Sequence, residues 1–182
     1  MGLDVSFCFS EESTTIEALA DLVFHHIGYS GQEAYVVIGS CLSLMPFFSL
    51  YADQDLALGA LCRYLSRSGK TICNLWRSDH GGCCGYAVFS DGALTGEHAS
   101  DQYDLTVLRE GYSVAFQQPL TISDDDLPFF PEGFLDAEEG DADWRVYRLD
   151  VAARSVQEME PAILSQLLQN DLPVEPVFRF VH

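Results

Sequence analysis

Thr71-Ile72-Cys73-Asn74-Leu75-Trp76 and Tyr86-Ala87-Val88-Phe89 are two apolar runs of strand length, joined by a glycine-rich connection that holds Gly81, Gly82 and Gly85. Both read as strands. Working outward, Leu3, Val5, Phe7 and Phe9 alternate with Asp4, Ser6 and Cys8 at strand periodicity. Thr14 or Thr15 then offers an N-cap, and Ile16, Leu19, Ala20, Val23, Phe24 and Ile27 follow at helical spacing up to a stop at Gly28. A second strand is expected over residues 34–39, and a helix over 53–68 that Gly69 closes.

Ser90-Asp91-Gly92 reads as a turn. Residues 103–108 and 112–116, separated by Arg109-Glu110-Gly111, read as a hairpin. Residues 118–143 carry prolines at 119, 128 and 131 and little regular periodicity, and an acidic irregular segment is expected there. Trp144–Leu149 reads as a strand, 151–169 as a helix that Pro161 kinks or restarts, and 177–181 as an edge strand. Strands and helices interleave without βαβ alternation or internal repeat. The expected fold is α+β, a single domain over residues 1–182, with a mixed or mainly antiparallel sheet and about three helices packed on it.

The chain has 182 residues, with 9 Lys+Arg against 28 Asp+Glu and a formal charge of −19. A folded monomer of this size exposes roughly 8,800 Å². Direct binding to nucleic-acid phosphates needs clustered cations, which so acidic a chain lacks. The first residues have no basic stretch, and Asp4, Glu11 and Glu12 interrupt any apolar run, so no secretory signal is expected. The uncharged run from Ala34 to Ala52 is broken by Gly39, Ser40, Ser43, Pro46 and Ser49 and reads as core, not as a membrane span. The six cysteines (8, 41, 62, 73, 83 and 84) are expected as reduced thiols of a cytoplasmic protein.

Motifs that carry chemistry fail on inspection. Gly69-Lys70-Thr71 resembles the tail of a P-loop, but Tyr64 stands where the first glycine belongs and the helix precedes the lysine. Gly28-Tyr29-Ser30-Gly31-Gln32 lacks the closing glycine of a nucleophile elbow. A calcium loop starting at Asp136 would need glycine at 141 and glutamate at 147, where Asp141 and Tyr147 stand. Cys73, His80, Cys83 and Cys84 lack the paired knuckles of a structural zinc site. No metal and no cofactor is expected. The one patch with catalytic chemistry is Asp79-His80-Gly81-Gly82-Cys83-Cys84-Gly85. There Cys83 or Cys84 could serve as nucleophile, His80 or His98 as base, and Asp79 or Asp101 as its orienting group. Acidic surroundings raise a thiol's pKa and count against it.

The charge distribution is the informative feature. Residues 91–143 hold 14 of the 28 carboxylates and a single cation, Arg109. Crowding of this kind costs stability by self-repulsion. In the same stretch Asp124-Asp125-Asp126 runs into Leu127-Pro128-Phe129-Phe130-Pro131, and Glu132, Asp136, Glu138, Glu139, Asp141, Asp143 and Trp144 follow. Acids speed the approach of a cationic partner, and aromatic anchors slow its departure. Asp124, Asp125, Asp126, Phe129, Phe130, Glu132, Asp136, Glu138, Glu139, Asp141, Asp143 and Trp144 form the expected partner-binding set. The reading is a non-enzymatic, cytoplasmic inhibitor of a basic protein, of the kind that neutralises a cationic bacterial toxin domain by covering its active site. Two alternatives remain: a cysteine-dependent hydrolase or transferase using Cys83 or Cys84 with His80, and an inhibitor that mimics nucleic acid.

Overall fold

The computed structural model describes residues 4–41, 45–120, 144–169 and 171–177. The strands are β1 (Asp4–Ser10), β2 (Glu33–Cys41), β3 (Met45–Ala52), β4 (Thr71–Ser78), β5 (Cys83–Ser90), β6 (Ala93–Ser100), β7 (Trp144–Asp150), β8 (Ser155–Met159) and β9 (Glu175–Pro176). The helices are α1 (Ile16–Asp21), which continues as a π-helical turn over Leu22–His26, α2 (Leu58–Leu65), α3 (Leu105–Phe116) and α4 (Ile163–Leu168). All nine strands belong to one antiparallel sheet in the order β6-β5-β4-β1-β3-β2-β7-β8, with β9 paired to β3. The fold is α+β, as the interleaving of strands and helices without βαβ alternation led one to expect.

Alternation sorts the sheet residues onto two apolar faces. Phe7, Phe9, Phe47, Leu75, Val88 and Val146 meet Leu108 and Tyr112 of α3 and Leu164 and Leu167 of α4. Cys8, Val36, Phe48, Leu50, Ile72 and Phe89 meet Leu19 of α1 and Leu58, Leu61 and Cys62 of α2. The central strands are therefore apolar on both faces, and helices close both. Thr15 caps α1 by accepting the Ala18 N–H at 3.2 Å. Gly28, at φ 65°, turns the chain beyond the π-helical turn.

Four expectations need correction. The expected hairpin at 103–116 is helix α3. Asp104 caps it through its side chain to the Thr106 N–H, and Val107, Leu108, Gly111, Tyr112 and Phe116 form its buried stripe. Gly111 does not turn the chain; the Tyr86 side chain lies against it, and a Cβ there would stand 2.4 Å from Tyr86 Cγ. The expected helix over 151–169 is instead a turn at 151–154, then β8 and α4. Asp150 Oδ1 accepts the Ala153 N–H at 2.9 Å and Arg154 takes φ 50°, which reverses the chain onto β7. The helix expected from Asp53 begins at Leu58, because the Asp53 carboxylate is engaged elsewhere, by the Tyr29 hydroxyl and the Gln32 N–H. Near the end of the chain the strand lies at 175–176, ahead of the expected edge strand, and residues 178–181 of that expectation fall outside the described residues. Strand β6 had no counterpart in the sequence reading.

The middle of the sheet is its narrowest join. Strands β1 and β3 pair at Cys8↔Phe48 and Phe9↔Phe47, while β1 pairs β4 along all seven of its residues. From Cys8 back toward Asp4 the two strands no longer pair, and β9 enters this fork against Tyr51 and Ala52 of β3. Among the described residues, no helix is long and apolar enough to cross a membrane.

Candidate functional site

The partner-binding set expected from the sequence falls largely outside the described residues. This holds for Asp124, Asp125, Asp126, Phe129, Phe130, Glu132, Asp136, Glu138, Glu139, Asp141 and Asp143. Trp144 opens β7, opposite Gly39 of β2, and only 8% of it is exposed. It belongs to the buried apolar cluster that also holds residues of α3 and α4, so it is a core residue and not an anchor for a partner.

The described part of the acid-rich stretch has a definite geometry. Asp91 sits in the β5–β6 turn with φ 51°, Glu97 on β6, Asp101 just after it, Asp104 at the cap of α3 and Glu110 on α3. Strand β6 is an outer strand of the sheet, and α3 lies across β4, β5 and β6. Glu110 accepts a hydrogen bond from the Tyr86 hydroxyl at 3.1 Å and faces His98 Nδ1 of β6 at 3.5 Å. The Asp104 carboxyl is held below the usual range by hydrogen bonds from the Thr106 hydroxyl and N–H. Two exposed apolar groups stand among these acids. Tyr103 is 37% exposed, with the Arg77 guanidinium over its ring at 4.7 Å, and Val114 is 50% exposed above Gly96 of β6. Acids beside exposed aromatic and apolar groups are what the sequence led one to expect further along the chain. Here they are built on a strand edge and a helix.

The glycine-rich connection does not assemble a thiol–imidazole pair among the described contacts. The Cys84 thiol is buried, receives the Asp104 N–H at 3.3 Å and lies 3.3 Å from its carbonyl; burial raises its pKa. His80 turns instead to Asp4, Nδ1 to Oδ2 at 3.2 Å. Asp79 grips Arg77 through two hydrogen bonds of 2.6 and 2.9 Å. Cys83 is partly exposed. Among the described residues, no three His, Cys, Asp or Glu side chains are grouped to hold a metal ion.

A second acidic feature is the fork between β1 and β3. It opens as a groove of about 1230 Å³, lined by Asp4, Asp53, Asp55 and Glu175, with His80 and Ser78 on the same wall. Asp4 Oδ1 is buried there, without a hydrogen-bond partner among the described residues. Asp53 is committed to structure. Its partial burial opposes the charge, but hydrogen bonds from Tyr29 and Gln32 outweigh that and keep its pKa low.

The class that fold and site define is architectural: one antiparallel nine-stranded sheet, helices on both faces, and carboxylates around one outer strand and in the central fork. Comparison with protein-family models, with curated proteins and with solved structures finds no match.

Proposed function

We propose that this protein is an acidic inhibitor that acts in the cytoplasm, an immunity protein that covers the active site of a cationic bacterial toxin domain. The observation that carries the reading is the run of 14 carboxylates against one cation in residues 91–143. Enzymes that attack nucleic acids or nucleotides gather positive charge around their substrate, and a surface of carboxylates matches that charge and excludes the substrate together. Support comes from Asp101 and Glu110, close in the chain to exposed Tyr103 and Val114, with Glu97 on the other face of β6, a mixture suited to steering first and anchoring second. The confinement of Cys84 and the engagement of His80 with Asp4 weigh against the thiol-enzyme alternative.

The test begins with the gene beside this one. Its product is expected to carry a basic toxin domain whose lethality in a host cell is abolished by co-expression of this protein. The purified pair should associate faster as salt is lowered. A neighbouring product that neither binds the chain nor is inhibited by it overturns the proposal. Changing Asp124, Asp125 and Asp126 together to Asn should slow association by about tenfold at low salt and flatten its salt dependence. Unchanged kinetics would remove electrostatic steering by that triplet.

A further inference from the structure

We propose that the outer edge of β6 is a docking edge for an extended, lysine- or arginine-rich strand of the partner, which joins the sheet as a tenth strand. The inference rests on the inhibitor reading and names the surface and mode of contact.

Strand β6 runs for eight residues, Ala93–Ser100, and pairs with β5 along its inner side. Among the described residues, no strand pairs with its outer side, so a row of main-chain donors and acceptors faces outward. Such edges are ordinarily blocked by proline, lysine, shortness, a bulge or a covering element; β6 has a bulge at Thr95, and beyond it Gly96–Ser100 pair with β5 in unbroken register. Residues 93–100 contain no proline, lysine or arginine. The charged groups at this edge are Glu97 on the strand, Asp101 after it and Glu110 on α3, together with His98, which faces Glu110. Carboxylates there turn away a second copy of a chain with charge −19 but attract a cationic strand. Val114, half-exposed above Gly96, gives the aliphatic stem of a lysine an apolar surface, and Tyr103 offers the part of its ring that Arg77 does not cover.

The opposite edge makes the contrast. Strand β8 has five residues, and Arg145, Arg148 and Arg154 stand among Asp150, Glu158 and Glu160 around it. Arg145 pairs with Glu158 at 3.9 Å and Arg148 with Glu33 at 3.0 Å. That edge is shorter and close to neutral. Main-chain pairing supplies affinity in strand addition, and the side chains choose the partner; charge therefore selects β6.

The test uses the whole chain and a synthetic decapeptide of alternating lysine and threonine. A second peptide of the same sequence and charge is N-methylated at every other residue, which removes its main-chain donors on one side. The unmethylated peptide is expected to slow amide hydrogen exchange within residues 93–100 by about tenfold or more at saturation, and to bind more weakly as salt rises. The methylated peptide, and the E97K/D101K variant with the first peptide, are expected to bind at least about tenfold more weakly. Circular dichroism on the variant checks that it is folded. Equal binding of the two peptides, or protection confined to other residues, overturns the edge while leaving an electrostatic inhibitor intact. Absence of binding by either peptide at low salt overturns the edge and the attraction for cations together. A dimer whose β6 amides are already protected without peptide overturns the proposal in favour of self-pairing.

Discussion

Gly111 shows how a single side chain decides a local conformation. Alanine favours a helix over glycine by about 1 kcal/mol, yet a Cβ at this position would meet Tyr86 Cγ at 2.4 Å and Cβ at 2.5 Å. Gly111→Ala should therefore destabilise the fold by about 1–3 kcal/mol, measured by urea unfolding. An unchanged or higher midpoint would mean that Tyr86 moves aside freely. Trp144→Ala should cost about 3–5 kcal/mol in the same assay, as expected of a core ring; if instead it weakened partner binding without loss of stability, its placement in the core would be wrong. Asp53 supplies a pH test. Its folded pKa lies below the ordinary value of 3.8, so its charge stabilises the fold above that pH, and the contribution disappears as pH falls through the lowered value. Between about pH 5 and pH 2, wild type should lose more stability than Asp53→Asn. Parallel losses would show that the Tyr29 and Gln32 contacts carry no linkage.

At the level of elements, legibility followed periodicity. Strand β1, helix α1 with its Thr15 cap, and strands β2, β4, β5 and β7 all carry an alternation or a helical stripe unbroken by competing signals. Replacing Thr15 by Ala should remove the cap on the Ala18 N–H and about 1 kcal/mol; a loss below a few tenths would show that water substitutes for it. Helix α3 was hidden because Arg109-Glu110-Gly111 imitates a turn, and only the ring of Tyr86, from a strand distant in sequence, explains a glycine inside a helix. Strand β6 was hidden because its apolar groups are sparse: α3 covers one face of it, and the other holds Glu97 and Ala99. The acids of the candidate edge were visible as composition. Their grouping was not, since it depends on α3 lying beside β6. The surroundings of Cys83 and Cys84 were hidden for a related reason, because adjacency in sequence said nothing of His80 turning toward Asp4.

The whole molecule carries −19, and like charges raise the free energy of the compact state more than that of the open chain. Raising salt from about 10 mM to about 200 mM should therefore raise Tm by screening; a Tm that falls over this range would mean that attractive pairs such as Arg148–Glu33 outweigh the repulsion. The narrow join between β1 and β3 has a mechanical consequence. A continuous sheet resists shear through its long ladders, but here the ladder at the centre is short, and β9 fills the gap from a point more than a hundred residues along the chain. The line of least resistance under load thus runs through the middle of the protein and not along its rim. Whatever grips the rim loads the two halves against that line, and residues 175–176 act as the rivet that closes it.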